Sequence, residues 1–96
     1  MSLHAWLSEA QRCRDAGRWA LAIPLYQRAL TSKLPADQLA PVHHNLGLCY
    51  FGSGQFALAY QHCVKALQRD PRLWQAASII AKCQKELGHM EASDRT

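Results

Sequence analysis

The chain has very few of the residues that favour β-strands. Its 96 residues include two Val, three Ile and two Thr, against 15 Ala and 13 Leu. β-Branched side chains favour strands, whereas Ala and Leu are among the best helix formers. The composition therefore predicts helix throughout the chain.

The length leaves no room for a multi-domain enzyme. A chain of 96 residues, 49% of them hydrophobic, suits one small domain with a continuous core that needs no disulfide or metal. Eleven Lys and Arg residues and seven Asp and Glu residues give a net charge of +4. This mild excess is spread along the chain, so it indicates no particular partner.

The sequence shows neither the pattern of a leader segment nor a long apolar run. No positively charged head, apolar segment and cleavage site opens the chain. The longest uncharged stretch, between Asp37 and Lys65, contains three histidines and is too polar for a membrane anchor. The chain has four cysteines, and no two of them form a C-x-x-C pair. They are Cys13, Cys49, Cys63 and Cys83. We therefore expect reduced thiols and a cytoplasmic location.

The chain repeats itself at a period typical of helical solenoids. An offset of 37 residues aligns Gly17 with Gly54, Trp19 with Phe56, Ala20-Leu21-Ala22 with Ala57-Leu58-Ala59, and Ala29-Leu30 with Ala66-Leu67. A further offset of 34 aligns Leu46-Gly47 with Ile80-Ala81, and Gly54 with Gly88. In each unit a stretch with helical periodicity ends at a glycine, and a second such stretch follows, so the unit is a helical hairpin.

Five helices are expected from these signals. Their approximate bounds are Leu3 to Asp15, Arg18 to Thr31, a start between Asp37 and Pro41 with an end near Gly52, Gln55 to Arg69, and Arg72 to Leu87. Pro24 should bend the second helix slightly, and Pro41 should lie in the first turn of the third. Gly88 is expected to close the fifth helix, leaving His89 to Thr96 frayed.

The second unit resembles a tetratricopeptide repeat. From Ala40 to Pro71 it reads A-x-x-x-x-N-L-G-x-x-Y-x-x-x-G-x-F-x-x-A-x-x-x-C-x-x-A-L-x-x-x-P. The first unit matches at Trp6, Ala10, Gly17, Trp19, Ala22, Tyr26 and Ala29. It departs from the family at Cys13, where an aromatic is usual, and by three extra residues around Ser32 to Pro35. The third unit has Ile80, Ala81, Gly88 and Met90, and then stops.

The resemblance implies an all-α, right-handed helical-hairpin solenoid of about two and a half tetratricopeptide units. We expect a single domain over residues 1–93, with units at about 3–36 and 40–73, the first helix of a third at 74–90, and a tail at 94–96. Small residues such as Ala10, Gly47 and Ala81 would let helix axes approach to about 8–10 Å.

The sequence lacks the patterns that several chemical roles require. The glycines near position 50 follow no strand and precede no Lys-Ser/Thr, unlike a phosphate-binding loop. No two histidines or cysteines lie four apart on one helix, and nothing marks an oxyanion site, so neither a metal site nor catalysis is expected. Nucleic acid is disfavoured as a partner because aromatic and basic residues do not recur together in each unit. We predict no cofactor.

The resemblance also implies a concave groove lined by the first helix of each unit, which would hold a peptide or a partner helix. Carried over by position, the groove residues are Leu7, Gln11, His44, Asn45, Leu48, Phe51, Gln75, Ile79 and Lys82. Only Asn45 matches the family's clamp for acidic chaperone tails, so that ligand is disfavoured. An apolar segment flanked by neutral or acidic groups fits better. The alternative is that Phe51 is only a half-exposed packing residue.

The fifth helix carries more apolar surface than one neighbour can cover. Its apolar side chains span an arc of roughly 220°, whereas one neighbouring helix needs about 100°. A second copy of the chain, or polypeptide beyond Thr96, is expected to cover Leu73, Trp74, Ala77, Ile80, Ala81 and Leu87.

Together these observations predict a non-catalytic, cytoplasmic protein-protein interaction module or scaffold. Its expected partner is another protein or a peptide segment, with a homodimer as a further option and no membrane association. The alternative is an N-terminal substrate- or partner-recognition segment of a larger enzyme such as a glycosyltransferase.

Overall fold

The described part of the protein is a row of five antiparallel helices. The computed structural model describes the backbone of residues 3–94 and the side chains of residues 3–88. The helices are α1 (Leu3–Asp15), α2 (Trp19–Thr31), α3 (Ala36–Gly52), α4 (Phe56–Arg69) and α5 (Trp74–Asp94). No strand occurs among these described residues, which confirms the all-α prediction. The molecule is elongated, with principal extents of 49 × 27 × 20 Å.

The two hairpin turns are alike in backbone geometry. Gly17 and Gly54 both adopt positive φ angles, of 74° and 82°. The amide of the next residue then donates to a carbonyl at the end of the preceding helix, from Arg18 to Cys13 at 2.8 Å and from Gln55 to Tyr50 at 2.8 Å. This pattern closes a helix with a left-handed glycine. The aligned glycines of the sequence repeat therefore mark equivalent turns.

The prolines do not interrupt the helices that contain them. Pro24 lies inside α2 and Pro41 inside α3. The start of α3 at Ala36 is one residue before the predicted range, because Pro35 directly precedes the helix with φ of −58° and ψ of 145°. Pro41 consequently lies beyond the first turn of α3. The prediction that it lies within the first turn is wrong.

The end of α5 differs from the prediction. The helix continues through Gly88 to Asp94, and Gly88 does not have a positive φ. The expected frayed segment is therefore helical from 89 to 94, whereas residues 95 and 96 lie outside the described residues. Glycine weakens a helix interior by only about 1 kcal/mol, and no proline follows Gly88 to stop the helix.

Replacing Gly88 with alanine is expected to stabilise the protein by about 1 kcal/mol, because a helical position gains propensity and a Cβ there meets no atom within 4 Å. The matched variant Gly54→Ala should destabilise by a similar amount, since Gly54 has a φ of +82°. Urea unfolding of both variants measures the two signs. A loss of stability in Gly88→Ala would place Gly88 at a helix end instead.

Each helix packs on its neighbours in chain order. Contacts join α1 to α2, α2 to α3, α3 to α4 and α4 to α5, and α3 also contacts α5. The core between them contains small residues and a few large ones. Its fully buried members include Ala10, Ala22, Ala29, Ala59, Ala66, Tyr26, Leu46, Cys49 and Cys63. Small side chains let helix axes approach closely, and the larger ones fill the space that remains.

Two glycines of α3 bring other residues against the helix. A Cβ on Gly47 would overlap the Sγ of Cys63 and lie 3.2 Å from the carbonyl oxygen of Ala59. A Cβ on Gly52 would overlap the indole ring of Trp19. Gly47 therefore sets the distance between α3 and α4, and Gly52 provides the surface on which Trp19 packs.

Candidate functional site

The first helices of the hairpins lie side by side. Arg14 of α1 donates a hydrogen bond from its Nη1 to the Oδ1 of Asn45 on α3. α3 in turn contacts α5. We call the surface of α1, α3 and α5 that bears the predicted groove residues the inner face.

Eight of the nine predicted groove residues are accessible on the inner face. Gln11, Gln75 and Lys82 are exposed. Those that are half-buried are Leu7, His44, Asn45, Leu48 and Phe51. This placement gives the face one apolar and one polar residue on α1, a mixed centre on α3 and a polar edge on α5.

Ile79 is the exception among the predicted residues. It is only 6% exposed and belongs to the hydrophobic core, together with Ala76 and Cys83 of the same helix. The spacing of these residues places them on one side of α5, against the rest of the bundle. In this chain Ile79 is a packing residue and offers almost no surface to a ligand.

The apolar part of the inner face rests on the core. Leu7, Leu48 and Phe51 all pack against the buried cluster while keeping part of their surface in solvent. Phe51 also meets Phe56 of α4 edge to face, with ring centroids 5.4 Å apart. These contacts hold the three side chains in place before any ligand arrives, which lowers the entropic cost of binding.

Arg14 is a site residue that sequence reasoning missed. It is not among the groove residues predicted from the sequence. Its guanidinium lies between α1 and α3, where it binds Asn45 and pairs with Asp15 at 2.8 Å, and its side chain is 20% exposed. Arg14 follows Leu7 by seven residues and Gln11 by three, so helical spacing could have identified it as a member of the same face.

His44 is held neutral next to this arginine. Its pKa is lowered from the usual 6.5, first by burial and then by the positive charge of Arg14. The centre of the inner face therefore carries one fixed guanidinium and a neutral imidazole at neutral pH.

Replacing Arg14 with glutamine is expected to raise the pKa of His44 without restoring the usual value, since burial is the larger cause. An NMR titration of the imidazole resonances measures this change. His62 serves as the internal control, because Arg14 is not among the causes that lower its pKa. An unchanged His44 titration would show that the arginine points away from the imidazole in solution.

A second polar cluster joins α2, α3 and α4. The Nδ1 atoms of His43 and His62 are 3.0 Å apart, so one imidazole donates a hydrogen bond to the other. The ring of His62 also stacks on Tyr50, with centroids 5.4 Å apart, and the Tyr50 hydroxyl accepts a hydrogen bond from Gln27 at 2.7 Å. Burial, His43 and Lys65 lower the pKa of His62 to about 4.

The cysteines behave as small core residues. Cys49, Cys63 and Cys83 are fully buried, and Cys13 is half-buried. Burial raises the pKa of Cys49 to about 11 and that of Cys63 to about 12. A thiol is nucleophilic as the thiolate, so these buried groups are inert near neutral pH.

The described residues hold no group of three or more His, Cys, Asp or Glu side chains arranged to bind a metal ion. In the same part of the chain, no helix is both long and apolar enough to cross a membrane.

Comparison with known proteins identifies one unit of the chain. Residues 40–73, which comprise most of α3 and all of α4, match the family model described as tetratricopeptide repeat. No curated protein and no solved structure shows significant similarity to the chain. The match agrees with the five-helix architecture and with the repeated glycine turns. Residues 40–73 are therefore a unit of the tetratricopeptide repeat type.

Proposed function

We propose that the protein is a non-catalytic interaction module that binds a segment of another protein on its inner face. Tetratricopeptide repeats generally mediate protein-protein interaction. The observation that supports this site most directly is the row of half-buried apolar side chains on α1 and α3, namely Leu7, Leu48 and Phe51, flanked by exposed polar groups. Binding surfaces combine such an apolar centre with a polar rim.

The chemistry of the face favours a particular kind of ligand. An apolar side chain of the ligand would contact Leu48 and Phe51, where apolar surface remains open to solvent. A neutral or acidic group on one side of it would meet Arg14 of α1, and one on the other side would meet Lys82 of α5. A strongly basic segment is disfavoured because it would be repelled by both cations.

Selection of a random peptide library displayed on phage against the immobilised chain tests this proposal. Peptides with an apolar residue beside a neutral or acidic one are expected, and Leu48→Lys should weaken their binding at least tenfold, about 1.4 kcal/mol. Leu21→Lys is the matched control, since Leu21 is an exposed leucine of α2 outside the inner face. Peptides that bind both variants equally would place the site elsewhere.

The outer side of α5 supports a second interaction surface. Trp74 is 71% exposed, and Ala77 and Ala81 of the same helix are also exposed. We propose that this side contacts another polypeptide, as expected from the apolar arc of the sequence. The same surface would serve a substrate- or partner-recognition segment of a larger enzyme. The free thiols suit a reducing compartment such as the cytoplasm.

A further inference from the structure

The outer side of α5 carries an ordered stripe of side chains. Leu73, Ala77, Ile80, Gln84 and Leu87 follow one another at intervals of four, three, four and three residues. This is the spacing with which one helix packs along another. All five side chains have surface open to solvent. The stripe contains no charged residue, since Lys82 and Lys85 lie off it.

On α3 the residues that correspond to this stripe are covered by a neighbouring helix. At the offset of 34 residues, Ile80 corresponds to Leu46 and Ala81 to Gly47. Leu46 is fully buried, and Gly47 lies against Cys63 of α4. Ala81, in contrast, is exposed. Leu73 and Ile80 pack in part against the core, and Leu87 lies beside the start of α4. Within the described residues no helix covers the remaining surface of the stripe.

We propose that this stripe binds the α5 of a second copy of the chain, antiparallel, about a twofold axis close to Ile80. The inference rests on the interaction role of α5 proposed above and names its partner. The small side chains of Ala77 and Ala81 allow the helix axes to approach closely.

The order of residues along the stripe is self-complementary in the antiparallel orientation. With Ile80 opposite its own copy, Leu73 meets Leu87 of the second copy. Gln84 of the second copy is then the stripe residue nearest to Ala77, offset by one residue, or about 1.5 Å, from direct register. The Gln84 amide extends past the methyl group of Ala77 into solvent. A parallel pair would instead place Gln84 against Gln84 and leave the two Ala77 side chains with a gap between them.

In the same antiparallel arrangement Trp74 would contact the second copy of the chain. It directly follows Leu73 of the stripe, and it is the most exposed large apolar side chain of the described residues. Antiparallel pairing sets it over Gly88 of the second copy, which has no side chain and no neighbouring atom within 4 Å of a Cβ position. An exposed tryptophan would thereby become an anchor of the contact.

Light scattering after size exclusion, over a concentration series of the full chain, tests the pairing. The wild type is expected to have about twice the 10.8 kDa mass of one chain. Ile80→Glu places two carboxylates together at the axis and should raise the dissociation constant at least a hundredfold, about 2.7 kcal/mol. Leu21→Glu, an exposed leucine on α2, is the control and should leave the mass unchanged.

The double variant Ala77→Glu with Gln84→Lys tests the orientation. Antiparallel pairing sets each introduced carboxylate opposite an introduced ammonium group, so the dimer should persist and weaken with added salt. Parallel pairing sets like charges together and would give monomers, which overturns the proposed arrangement. Circular dichroism confirms that each variant is folded.

A wild type that stays monomeric, or a dimer that survives Ile80→Glu, also overturns the pairing. Peptide binding by the Ile80→Glu variant reports separately on the inner face. A monomer that still selects peptides sensitive to Leu48→Lys would contradict only the pairing, not the proposed function.

Discussion

Replacing Gly47 with alanine is expected to lower the free energy of unfolding by about 2 kcal/mol. Helix propensity alone predicts the opposite sign, since alanine is favoured over glycine inside a helix by about 1 kcal/mol. The added methyl group, however, would overlap the Sγ of Cys63 and lie 3.2 Å from a backbone oxygen of α4. Overpacking a close contact costs about 1–3 kcal/mol, and backbone yields less readily than a side chain.

Urea unfolding of three variants isolates this contact. Cys63→Ala removes the overlapping sulfur, so the double variant Gly47→Ala with Cys63→Ala should be more stable than Gly47→Ala alone. Gly88→Ala is the control for propensity, because a Cβ there meets nothing. If Gly47→Ala matched or exceeded the stability of the wild type, α3 and α4 would be farther apart than the structure shows.

Acidification is expected to destabilise the protein through the His43 and His62 pair. The pKa of His62 is about 4 in the folded chain, against 6.5 as the ordinary value. The unfolded chain therefore binds more protons between these two values. The stability due to neutral His62 is complete above about pH 6.5 and is lost as the pH falls toward about 4.

The size of the effect follows from the same linkage. At about pH 5 the lowered pKa of His62 corresponds to a loss of at most about 2 kcal/mol in the free energy of unfolding. Solvent screening of this half-buried group reduces the loss to about 1 kcal/mol. His43 adds a change of the same sign, because burial, Lys65 and Arg69 lower its pKa as well. Thermal unfolding followed from about pH 7.5 to about pH 5 measures the loss.

The groups around His43 and His62 do not compensate for the positive charge that protonation adds to either imidazole. α4 contributes Lys65 and Arg69, both cationic, whereas Gln27 of α2 and Tyr50 of α3 are neutral partners. His62→Gln keeps a polar side chain next to His43 but does not titrate, so its stability should depend less on pH. An equal pH dependence in this variant and the wild type would assign the acid sensitivity to other groups.

Much of the fold could be predicted because its signals are local. The helix α1 begins and ends where periodicity placed it, and α2 and α4 each begin one residue later than predicted. Gly17 and Gly54 were predicted to close hairpins, and both have the positive φ that glycine adopts at little cost. The fifth helix was predicted too short, because a glycine inside a helix and one at its end look alike in sequence until the following residues are placed.

The inner face was harder to predict because it depends on how helices pack. The resemblance to a tetratricopeptide repeat placed Leu48 and Ile79 on one surface, but only packing made Ile79 a core residue and left Leu48 half exposed. Arg14 was not among the predicted groove residues, and only the tertiary structure brings its guanidinium to Asn45 of α3. His43 and His62, which lie 19 residues apart, have no spacing that marks them as a pair.

The sequence by itself determined the helical content, the hairpin period and the likeness of the second unit to a tetratricopeptide repeat, since these follow from periodicity and glycine position within about 40 residues. Only the tertiary structure decided which polar side chains meet across helices, which cysteines lose their reactivity, and which side of α5 stays open. Those properties depend on desolvation and on contacts between distant residues, and both arise only when the helices have packed.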